Sequence, residues 1–114
     1  MYLYQAWPSM KIILVVKFSK AWQDAVESSF SHFGIASTIM IRDIEARMGV
    51  SMKNWWKKPA ELDSALRSIY GAAAVSIERG IVAALGSITG NSEEPDKPFM
   101  LALAELKEEL NAKD

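Results

Sequence analysis

FSKAWQDAVESSFSHFG, residues 18–34, decides the fold. Its large apolar residues are Phe18, Trp22, Val26, Phe30 and Phe33, at spacings of four, four, four and three. Those steps draw one stripe along a helix, where a half-buried strand would alternate every second residue. Gly34 follows where a left-handed C-cap is expected.

Downstream the same period continues. Residues 35–48 carry Ile35, Ile39, Ile41, Ile44 and Met48, predicting a second helix that Gly49 stops. Asp43 and Arg47 stand four apart on it, the spacing of a favourable surface pair. Residues 50–58 read as a connector. Pro59 suits the first turn of a third helix, with Glu61 and Asp63 near its positive end. Leu62, Leu66, Ile69 and Tyr70 form its apolar face, and Gly71 interrupts it. Residues 72–88 predict a fourth helix through Ile77, Ile81, Leu85 and Ile88.

Thr-Gly-Asn-Ser-Glu-Glu-Pro-Asp-Lys-Pro, residues 89–98, has the composition of an exposed linker. Asp96 is placed to N-cap a last helix that starts near Pro98. That helix, 99–112, repeats Phe99, Leu103, Leu106 and Leu110 and carries Glu105, Glu108 and Glu109 outside. It is too short to be stable alone and must dock.

Upstream, residues 10–17 read equally as a β-branched strand or a buried helix. No second strand candidate exists to pair with them, which favours helix; pairing between molecules is the alternative. Residues 1–9 look like an irregular apolar lead-in. The expectation is one all-α domain over 1–114, a compact bundle of four to five helices. A strand or helix extension at 10–17 remains open. Core helices span 18–90, a linker 91–98 and an amphipathic helix 99–112.

Bulk composition agrees. The chain has 114 residues, 50% hydrophobic and 24% charged, as a globular protein does. It has one histidine and no cysteine, which excludes disulfides, thiolate zinc sites and cysteine nucleophiles. Net charge is −1, so no global field favours nucleic acid or an anionic membrane. Seven Lys/Arg against four Asp/Glu lie in residues 1–57, and six against ten in 58–114. No apolar run approaches the ~20 residues of a membrane span. The N-terminus lacks the positive start of a signal peptide, so the expected location is cytoplasmic.

Catalytic chemistry finds little support. His32 lies just before Gly34, where an imidazole interacts well with a helix C-terminus, and no nucleophile elbow accompanies it. Glu93, Glu94 and Asp96 are the nearest approach to a carboxylate cation site, but their spacing does not fit a calcium loop. No phosphate-binding Gly-Lys-Ser/Thr occurs. A helix-turn-helix built from 35–48 and 59–70 would need a much shorter connector. No enzyme activity, cofactor or metal is expected.

Two features stand out. Ala73, Ser76, Gly80, Ala83 and Ser87 recur three or four apart on the fourth helix, a stripe of small side chains that permits close approach. It suits a central helix with two packing faces; a two-fold contact between copies is the alternative. The second feature is Lys53-Asn54-Trp55-Trp56-Lys57-Lys58. Tryptophan interleaved with lysine is what single-stranded nucleic acid grooves and membrane interfaces use. Two aromatics in a connector also plug the end of a helical core, and the net charge favours that reading.

Three functions follow. The first is a non-enzymatic interaction or regulatory module, as a homodimer. The second is a nucleic-acid or membrane-surface binder through Lys53, Trp55, Trp56, Lys57 and Lys58. The third is a helical protein with a small-ligand pocket near His32, Asp43 or Arg47.

The layout from Phe18 to about Gly90 resembles a small archaeal helical family, the Nitrosopumilus output domain family. The likeness rests on Phe33-Gly34, on Ile44-Glu45 with Met48-Gly49-Val50, and on Pro59-Ala60-Glu61. It continues through Leu66-Arg67-Ser68-Ile69-Tyr70-Gly71 to Ile77-Glu78, Ile81-Val82 and Leu85. It covers about two thirds of the chain and brings no catalytic motif. The resemblance implies an output or interaction domain in signal transduction, found alone or attached to signalling modules. The N-terminal extension and residues 91–114 lie outside it, and the Trp55-Trp56 pair departs from its connector.

Overall fold

The computed structural model describes residues 18–90 and 97–112. The alternatives for 10–17, the Asp96 cap and the Glu93, Glu94 and Asp96 cluster lie outside the described residues. Among the described residues five α-helices form: α1 Phe18–Phe30, α2 Ala36–Met48, α3 Pro59–Tyr70, α4 Ala74–Thr89 and α5 Phe99–Ala112. Three 3-10 turns join them, at Ser31–Phe33, Met52–Lys57 and Gly71–Ala73. Among the described residues there is no strand, and the all-α bundle is the observed architecture.

The core follows the stripes. Phe18, Trp22, Val26 and Phe30 of α1 are buried, with Leu62 and Leu66 of α3, Ile77, Ile81 and Leu85 of α4, and Leu103 and Leu106 of α5. The most extensive helix pair is α1 with α4. Gly80 sits at that crossing, where an added Cβ would come 2.8 Å from Ser29 Oγ. α4 also touches α3 and α5, while α2 packs on α3.

The connector is anchored rather than loose. Trp22 Nε1 donates to the Met52 carbonyl at 2.9 Å, and Glu45 Oε2 accepts from the Met52 amide at 2.7 Å. Trp55 is fully buried, with Nε1 donating to the Val50 carbonyl at 3.3 Å. Both tryptophans thus bury a large apolar body while satisfying the indole N–H.

The structure corrects the first helix end. α1 stops at Phe30, three residues early, and tightens into a 3-10 turn. Ser31 Oγ donates to the Ser28 carbonyl at 2.6 Å, a side-chain bond that competes with the helical ladder. Gly34 is not a left-handed cap: its φ of 63° and ψ of −138° mirror an extended strand. Gly71 adopts the same conformation, φ 60° and ψ −131°, which only glycine adopts without strain. Gly71→Ala is therefore expected to cost about 1–3 kcal/mol, read as an earlier denaturant midpoint, although no atom lies within 4 Å of the site to clash.

Candidate functional site

α2 bears out the burial expected of Ile41, Ile44 and Met48 but not that of Ile35 and Ile39. Ile35 is 97% exposed, Ile39 62% and Phe33 43%, while Ile44 is the helix's one fully buried residue. Met40, Ile41 and Met48 pack inward beside Ile44. The step from Ile39 to Ile44 is five residues, which turns the helix about 140° beyond a full turn. The two isoleucine sets therefore lie on different faces, and packing on α3 selects the second. The result is an exposed isoleucine pair, Ile35 and Ile39, one turn apart at the start of α2; Phe33, also exposed, lies in the preceding turn with its ring edge-on to Phe30. No Asp, Glu, Lys or Arg occurs from Ser28 to Ile41, so the pair sits in an uncharged stretch.

The Lys/Trp connector divides. Trp55 is buried in the core, and Trp56 is half-buried against Phe18, with ring centroids 5.0 Å apart edge to face. The ammonium groups of Lys57 and Lys107 stand 5.5 and 5.0 Å from the Trp56 ring, within cation–π range. Lys53, Lys57 and Lys58 are exposed. The patch thus combines a core plug with a ring already occupied by two cations, one of them from α5.

Of the small stripe, Ala73, Ser76, Ala83 and Ser87 are exposed, and Gly80 alone stands at a helix crossing. α4 buries itself through another set, Ala74, Ile77, Glu78, Ile81, Leu85 and Gly86. His32 lies exposed in the turn after α1. Asp43, Ala46 and Arg47 of α2 face Ser68 and Ile69 of α3 across a groove of about 650 Å³ that is open to solvent. Tyr70 closes α3 near this groove, its hydroxyl buried and without a hydrogen-bond partner. Burial, and then the negative charge of Asp43, raise its pKa.

One feature was not anticipated from the sequence. Glu78 is 4% exposed, and its Oε2 meets no donor. It faces Asp63 of α3, whose two oxygens accept from Arg67 Nε at 3.0 and 3.1 Å. Burial first, then the hydrogen bond and charge of Asp63, push Glu78 up to about 8, against the opposing pull of Arg67. Asp63 is lowered, chiefly by the hydrogen bond from Glu78 and then by Arg67. A signal was present: Glu78 lies in a four-three-four series with Ala74, Ile81 and Leu85, a carboxyl on a core seam.

Among the described residues no cluster of three metal-binding side chains occurs, and no helix is long and apolar enough to cross a membrane. No family model matches the chain, and no curated protein or solved structure is significantly similar to it.

Proposed function

We propose that this chain is a non-enzymatic interaction module of the signalling-output kind, working as a homodimer through the start of α2. The observation that carries the reading is the exposed pair Ile35 and Ile39, with Phe33 exposed in the preceding turn. Fully burying a side chain of this size is favourable by about 1.5–3 kcal/mol, and the fold leaves all three in contact with water. Contiguous exposed apolar surface of this kind marks contact sites more often than isolated apolar residues do.

A second copy is the occupant that the face fits. A two-fold contact brings the same patch against itself, so any charge on it would meet its like. The stretch from Ser28 to Ile41 carries no acidic or basic side chain other than His32. An antiparallel pair of α2 helices with the axis between Ile35 and Ile39 sets each isoleucine of one copy against the other isoleucine of its mate. Phosphates or lipid headgroups would find no lysine or arginine within that stretch; Arg42, exposed one turn beyond Ile39, is the next charged residue along the helix. The resemblance to the output-domain family that the sequence suggests implies the same role.

Light scattering on size-exclusion fractions tests this. The wild-type chain is expected to run as a dimer at micromolar concentration. The double variant Ile35→Asp/Ile39→Asp is expected to be monomeric with unchanged helicity, because both side chains already face water in one copy. A wild-type monomer throughout that range overturns the dimer, and a variant that still dimerises overturns the face.

A further inference from the structure

We propose that the α3–α4 hairpin is closed by one proton shared between Glu78 and Asp63, so that the fold is less stable wherever the solution favours removing that proton. The geometry carries this. Glu78 is nearly withdrawn from water in the seam, and its Oε2 has no donor. The group it faces, Asp63, is itself an oxygen acceptor already engaged by Arg67. Glu78 is buried, while Asp63 keeps 26% of its side chain exposed; two carboxyls set together with one of them out of water cannot both ionise cheaply, and a proton held between them turns a repulsion into a hydrogen bond. Arg67 compensates one negative charge and is bound to Asp63, so the second would stand unpaired.

The surroundings are simple. Asp63 and Arg67, both on α3, are the charged groups that act on Glu78. Among the described residues, α1 and α5, the other helices packed on α4, bring no charged group that shifts it. The link from α3 to α4 is only the Gly71–Ala73 turn, so the seam itself holds the two helices together.

The direction with pH follows from linkage. Glu78 ionises near 4.5 in the unfolded chain and at about 8 in the folded one. Between those values the folded state binds the extra proton, so stability falls as pH rises from about 4.5 to 8 and levels off above. Asp63, lowered from 3.8, works the other way: it favours the fold above that value, and this contribution is lost in acid as pH falls through its folded pKa.

The experiment is a denaturation series from pH 5 to 9.5 on the wild-type chain and Glu78→Gln, with carboxyl carbon NMR on glutamate-labelled wild type. The wild type is expected to lose stability up to about pH 8. Glu78→Gln, which keeps a neutral donor toward Asp63, is expected to lack that slope. One glutamate carboxyl is expected to titrate near 8, and Asp63→Asn is expected to move that midpoint down. Equal slopes in the wild type and Glu78→Gln, or every glutamate titrating in the ordinary range, overturn the proposal. The NMR arm decides even if a variant fails to fold, and neither arm depends on the dimer.

Discussion

Trp22→Ala is expected to lower the unfolding free energy by about 3–5 kcal/mol, a large part of the ~5–15 kcal/mol that holds a domain of this size. Trp22 is fully buried, midway along the stripe by which α1 enters the core. Removing the ring opens a cavity among packed neighbours that can collapse only in part. It also takes away the donor at 2.9 Å from the Met52 carbonyl, a part-buried acceptor that would then rely on solvent. Trp22→Phe separates the two contributions. It keeps most of the apolar volume, loses the hydrogen bond, and is expected to cost less than half as much. Urea denaturation of both variants, at matched pH, checks the order. A Trp22→Ala chain with wild-type stability would show that α1 is not seated as described.

The second large effect is expected at the connector. Trp55→Ala is expected to cost about 3–5 kcal/mol, and Trp56→Ala distinctly less. The neighbours look alike in sequence but differ in place. Trp55 is fully buried and donates to the Val50 carbonyl. Trp56 is half-buried, edge-on to Phe18 and flanked by Lys57 and Lys107. Replacing it removes partial burial and cation–π contacts of about 0.5–1 kcal/mol each at exposed sites. Thermal melts of the two alanine variants give the comparison. Equal losses would mean that both rings plug the core; a stable Trp55→Ala would return that ring to the surface and to the nucleic-acid or membrane reading.

Much of the helical layout was legible because its signals are local. Pro59 marks the first residue of α3, and the linker composition before Phe99 marks the start of α5. Most residues of the α1, α3 and α4 stripes are buried in the fold, but Phe33 is exposed and Ile69 and Tyr70 are only partly buried. What failed was non-local. Ile35 and Ile39 have the same side chain as Ile44, and only the way α2 lies on α3 decides which face meets water. The five-residue step between Ile39 and Ile44 contained the warning. Ile88 went the same way, ending its stripe exposed at the last turn of α4. The Glu78–Asp63 contact joins carboxyls fifteen positions apart on separate helices, and no spacing within one helix predicts it. At the early stop of α1 the Ser31 hydroxyl donates to the Ser28 carbonyl, a local bond that periodicity does not register.

The pairing of α1 with α4 bears on the order in which a ribosome releases this chain. The apolar side of α1 is complete at Phe30, but the helix that covers it most ends at Thr89, fifty-nine residues later. At about 5–20 residues per second, α1 waits roughly 3–12 s for its mate. Through that interval Trp22, Val26 and Phe30 lack their α4 cover, and a translation product cut short before Ala74 never acquires it. Such fragments are natural clients for chaperones and proteases, and the intact bundle can close only after most of the polypeptide has been made.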